Sequence, residues 1–127
     1  MDLFQKLQQM KILLIDDDEW IRDSLTLFFE DENCPLVVAE TAEEALELIH
    51  HQRFDIIIID YRLPGMDVLE FLKKSQRVQP NARKIMITAY GSGKICFQAK
   101  LNGIDELIEK PFTTKRLEQS LQDLILY

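Results

Sequence analysis

Asp16, Asp17, Asp18 and Glu19 follow directly on the aliphatic run Ile12-Leu13-Leu14-Ile15, and Asp60 follows directly on Ile56-Ile57-Ile58-Ile59. Four or five apolar, mostly β-branched residues bounded by polar ones read as a strand buried on both faces, as in a parallel sheet under helices. Two such strands running parallel deliver their carboxylates to one C-terminal edge, where open α/β folds bind ligands. Three or more acidic side chains crowded there repel one another, and a divalent cation is the ordinary remedy. The chemistry this predicts is a metal ion held beside a reactive aspartate. Thr88 closes a further apolar run and Lys110 precedes Pro111. They bring a hydroxyl donor and an ammonium to the same predicted edge, groups that suit an anionic partner.

The elements that must position these residues alternate along the chain. Ile21, Leu25 and Phe28, with Phe29 alongside, form one face of a helix that Asp17 or Asp18 could cap. Leu36 to Ala39 reads as a strand, and Thr41-Ala-Glu-Glu44 has the capping-box pattern ahead of Ala45, Leu48 and Ile49. The central strand runs from Phe54 to Asp60, the turn is Leu63-Pro64-Gly65-Met66, and Val68, Leu69 and Leu72 begin the next helix. A strand from Lys84 to Thr88 precedes a helix opened by Gly91-Ser-Gly93 and reaching about Leu101. A strand from Leu107 to Glu109 precedes a last helix, capped by Thr113 or Thr114 and carrying Leu117, Leu121, Leu124 and Ile125. Five strand–helix alternations imply a parallel sheet covered by helices on both faces. Leu3, Phe4 and Leu7 also have helical spacing, so residues 1–9 read as an extension, either a turn of helix on the domain or a partner surface. Residues 10–127 read as one domain.

Composition narrows the function classes. A 127-residue chain of 14.9 kDa can bury a real core in one domain without staples. A net charge of −7 argues against direct nucleic-acid binding, which needs clustered Lys and Arg. Cys34 and Cys96 stand in no metal or redox spacing and read as reduced thiols. No apolar run approaches the ~20 residues of a membrane helix, and there is no basic-then-apolar leader, so a cytoplasmic protein is expected. His50 and His51 read as solvated residues or partners of a helix terminus. Trp20 is expected to pack near the acidic turn without catalytic duty.

Taken singly, each acid has a plainer reading, as a helix cap or an Asx-turn residue. The joint arrangement is more specific. The stretches ILLIDDDEW, DIIIIDYRLPGMDVLEFL, KIMITAYG and IEKPF, in this order and spacing, resemble the receiver domain of two-component response regulators over nearly the whole chain. The resemblance implies a flavodoxin-like, doubly wound five-stranded sheet in the order 2-1-3-4-5. It implies phosphoryl transfer from a histidine kinase or phosphotransfer protein to Asp60, without turnover of an external substrate. Mg²⁺, which Mn²⁺ can replace, would be held directly by Asp17, through water by Asp16, and by Asp60 and the backbone carbonyl of Arg62. Thr88 and Lys110 would meet the phosphoryl oxygens, and the Lys110-Pro111 bond would be cis.

Two positions depart from the family pattern. Leu107 replaces the aromatic residue whose rotamer follows phosphorylation, and Val68 stands where glycine is usual, which suggests a different local path for that loop. Arg62 and Tyr90 would flank the phosphoryl group and slow its hydrolysis by excluding water. The leading expectation is a switch in which Thr88 and helix 93–101 move to present a surface to a downstream protein, with homodimerisation through helix 93–101 and the last helix as one form of output. The competing class is a constitutive binding module of the same fold, to which Leu107 and Val68 lend some support. A flavodoxin would want a hydroxyl- and glycine-rich phosphate loop where three carboxylates stand, and a metal-dependent phosphatase would want a general acid where Arg62 stands.

Overall fold

The computed structural model describes residues 2–89 and 93–126. The elements run α1 (Leu3–Leu7), β1 (Ile12–Ile15), α2 (Glu19–Asp31), β2 (Leu36–Ala39), α3 (Ala42–His51) and β3 (Ile56–Asp60). They continue with α4 (Val68–Val78), β4 (Arg83–Thr88), α5 (Lys94–Leu101), β5 (Glu106–Glu109) and α6 (Thr114–Ile125). All strand pairs are parallel, in the order β2-β1-β3-β4-β5. This is the expected flavodoxin-like arrangement.

Every residue of β1 and β3 is buried, because alternate side chains enter different cores on the two faces of the sheet. Leu13, Ile15, Ile57, Ile59 and Met86 meet α3, α4 and α5 on one face. Ile12, Leu14, Ile56, Ile58, Ile85 and Ile87 meet α1, α2 and α6 on the other. Each buried aliphatic side chain contributes about 1.5–3 kcal/mol, and this two-sided demand is what an unbroken isoleucine run satisfies. The register sets Ile15 opposite Ile59 and Asp60 opposite Ile87, so residues 16, 60 and 88 emerge along one edge. α1 belongs to the second face, with Leu3 and Leu7 buried and Phe4 edge-on to Phe28 at 6.1 Å. Among the described residues no helix is long and apolar enough to cross a membrane.

Several local expectations need correcting. The central strand begins at Ile56, since the Phe54 N–H donates to the Gln79 side chain (2.8 Å) and not to the ladder. β4 gains Arg83 and β5 gains Glu106. At Thr41 only half the capping box forms: the hydroxyl accepts from the Glu44 N–H, while the Glu44 carboxylate accepts from the Glu40 N–H at 3.4 Å. A complete box caps α1, between Asp2 and Gln5. Trp20 does not pack on the acidic turn. It is 75% exposed, because the buried stripe of α2 passes through Leu25 and Phe29. Val68 starts α4 and is 2% exposed, capped by the Asp67 carboxylate, and the left-handed backbone of this loop falls at Gly65 (φ 92°).

Candidate functional site

The β1–α2 turn presents the first two acids. Asp18 caps α2, its carboxylate accepting from the Trp20 and Ile21 N–H groups at 2.8 and 3.4 Å. That fixes the turn and leaves Asp16 and Asp17 ahead of the helix. Asp16 is fully buried, and its Oδ1 accepts from the Asp18 N–H at 2.9 Å. Its Oδ2 is buried with no hydrogen-bond partner among the described residues. Asp17 is exposed, and Asp60 is 6% exposed at the end of β3. One carboxylate oxygen from each of Asp16, Asp17 and Asp60 lies within 4.8 Å of the other two.

Such crowding has electrostatic consequences. Burial, partly opposed by the Asp18 N–H and reinforced by the neighbouring Asp60 charge, pushes the Asp16 carboxyl up to about 6 from 3.8. Burial also raises Asp60, against the lowering effect of Lys110 and of a hydrogen bond from the Arg62 N–H. The Lys110 ammonium lies 3.2 Å from Asp60 Oδ1. Lys110 leaves β5 with its N–H donated to the Thr88 carbonyl at 2.8 Å, and its bond to Pro111 is cis. Thr88 is 1% exposed and ends β4 one residue beyond the level of Asp60. The residues expected together from the sequence, Asp16, Asp17, Asp60, Thr88 and Lys110, thus stand at one sheet edge.

A divalent cation fits this donor set on the structure's own terms. Three hard oxygen ligands converge, and the Asp16 carboxylate that supplies one of them has a buried oxygen lacking a donor. Among the described residues Lys110 is the ammonium paired with the cluster, which leaves net negative charge. Beside Asp17 a cleft of ≈ 720 Å³ runs along Arg62, Leu63 and Met66 to Ile95, open enough for a phosphate-bearing group. Leu107 is half-buried against the α3–α5 core, and its carbonyl accepts from Arg116 Nη2 at 3.0 Å. Tyr90 lies outside the described residues.

One residue of the site went unnoticed in the sequence. Arg22, on α2, donates from Nη1 to the Asp16 carbonyl at 3.0 Å and pairs through Nη2 with Glu40 at 3.1 Å. It ties the acidic turn to the end of β2. Only the side-by-side pairing of β1 and β2 puts Glu40 within its reach, and no spacing rule along the chain reveals that.

The response regulator receiver domain family model matches residues 12–122. "Sporulation initiation phosphotransferase F" of Bacillus subtilis (strain 168) is 31% identical over 112 residues, covering 88% of this chain and 90% of that protein. "Transcriptional regulatory protein GlrR" of Escherichia coli (strain K12) is 31% identical over 114 residues. That match covers 90% of this chain, which spans 26% of the regulator's length. A solved response regulator structure from Burkholderia pseudomallei, described as holding a phosphorylated aspartic acid, calcium ion and citrate, superposes with a TM-score of 0.81 at 28% identity. It covers 89% of this chain and 66% of its own.

Proposed function

The chain belongs to the response regulator receiver family of two-component signalling, and on that premise we propose that Asp60 accepts a phosphoryl group in a Mg²⁺-dependent reaction. The observation that carries the reading is the convergence of three carboxylates within 4.8 Å of one another, with the Lys110 ammonium 3.2 Å from Asp60. The donor would be the phosphohistidine of a kinase or phosphotransfer protein.

Asp16, Asp17, Asp60 and the Arg62 carbonyl would hold the cation, directly or through water. When bound, Mg²⁺ (or Mn²⁺) supplies positive charge to the phosphoryl oxygens. The chain's own residues do the rest. Asp60 is the nucleophile, and its contact with Lys110 favours the ionised carboxylate against burial, which favours the neutral acid. Lys110 neutralises charge on the phosphoryl oxygens, and the Thr88 hydroxyl donates to one of them. That donation would draw Thr88 and the chain leading to α5 inward, shifting the surface offered to a downstream protein or a second copy. The calcium ion and phosphorylated aspartic acid of the Burkholderia pseudomallei structure support the assignment by likeness.

The test is labelling by acetyl phosphate, or complex formation with beryllofluoride, with Mg²⁺ and with chelator. One phosphoryl group per chain is expected only with metal, and none on Asp60→Asn. Metal-independent labelling, or labelling that survives the substitution, would refute the proposal. A protein that never takes the label yet binds its target would be a constitutive module.

A further inference from the structure

At the edge of the sheet opposite the acid cluster, the C-terminal halves of α4 and α5 enclose a groove of ≈ 520 Å³. Lys73, Arg77 and Lys100 line it, all exposed, and among the described residues no carboxylate does. The chain carries a net charge of −7, so three cations lining one groove are a local inversion of its surface, and the neighbouring Asp105 carboxylate is engaged by the Lys84 N–H at 2.9 Å. The nearby Glu70 is paired along its own helix with Lys74, at 3.4 Å. Leu101 also lines the groove and is 70% exposed, and Phe97, one turn earlier on α5, is 65% exposed.

The groove floor is held in place by a buried cation. Lys84 is 1% exposed, and its Nζ donates to the Gln76 side-chain oxygen at 3.1 Å and the Ala82 carbonyl at 3.3 Å. Gly103 lets this packing close. A Cβ there would come within 2.8 Å of the Gln76 oxygen, and its φ of 100° disfavours any other residue. The wall between the helices is therefore preformed, which lowers the ordering cost of docking.

We propose that this groove docks an acidic amphipathic segment of a partner protein, its carboxylates on Lys73, Arg77 and Lys100 and its apolar residues on Leu101 and Phe97. A second copy of this chain is a poor occupant, because two-fold pairing through one patch sets the same cations against each other. A nucleic acid would meet the repulsion of the whole chain and gain nothing from the two apolar side chains. The proposal goes beyond the phosphorylation reading and does not depend on it.

The probe is a synthetic peptide of glutamate and leucine with leucines at i, i+3 and i+4 spacing. It is titrated into the isotope-labelled full chain and followed by amide chemical shifts. Shifts confined to 73–77 and 97–103 are expected. Affinity should fall about tenfold on Lys73→Glu/Arg77→Glu and several-fold on Leu101→Ala. All three side chains are exposed, and an unchanged amide spectrum elsewhere certifies the fold. Scattered or absent shifts, affinity indifferent to charge reversal, or equal binding of a leucine-scrambled peptide or an oligonucleotide of equal charge would overturn the proposal.

Discussion

Asp16→Asn should stabilise the metal-free protein near neutral pH, because the wild-type chain there holds an ionised carboxylate where burial opposes it. The folded-state carboxyl titrates at about 6 against an ordinary 3.8, a displacement of about two units. At 1.36 kcal/mol per unit this is about 3 kcal/mol. The sign follows from proton binding. Between the two values the folded chain holds more protons than the unfolded one, so stability falls as pH rises through that window, and the full penalty stands above it. Asparagine keeps an oxygen for the Asp18 N–H and carries no charge, so the substitution removes the penalty without removing that hydrogen bond. Urea unfolding in chelator at pH about 7.5 should show the variant more stable by about 1–3 kcal/mol, a midpoint shift of roughly 1 M. The gap should close near pH 4 and shrink when Mg²⁺ is added, since the cation favours the ionised acid. A variant no more stable than wild type in chelator across this range would refute the assignment of an unsupported buried charge to Asp16.

Lys110→Ala removes the ammonium 3.2 Å from Asp60. Acetyl-phosphate labelling followed by intact mass should slow about a hundredfold, and an unchanged rate would count against Lys110 as the charge-neutralising group. Arg62→Ala and Tyr90→Ala should each shorten the lifetime of the phosphorylated protein several-fold, measured as decay after donor removal. A decay matching wild type would mean these side chains do not exclude the hydrolytic water. Val68→Gly empties a buried position at the first residue of α4, and should lower stability by about 2–3 kcal/mol in urea unfolding. A loss below about 0.5 kcal/mol would mean the loop rearranges to compensate.

The acid cluster was legible because strand ends are written in the chain. Apolar runs stop where the sheet stops, so Asp16, Asp60 and Thr88 announce themselves as edge residues before any pairing is known. Caps were legible for the same local reason, although the choice between Asp17 and Asp18, or between Thr113 and Thr114, needed the backbone. Asp18 and Thr113 take the caps. Trp20 and the Thr41 box misled for different causes. Trp20 depends on which face of α2 packs on the sheet, which partners on other elements decide, whereas at Thr41 the Glu44 carboxylate turns one residue further back, to the Glu40 N–H.

By itself the amino-acid order determined the alternation of strands and helices, the two-faced burial of Ile12–Ile15 and Ile56–Ile59, and the arrival of acids at a common edge. Periodicity and termination are local properties of a chain, which is why they could be read. Only tertiary packing decided that Asp16 would keep a buried oxygen without a donor, that Arg22 would reach Glu40, and that Lys84 would lie beneath a cationic groove. Those relations join residues on different elements, across distances that register and helix orientation alone determine.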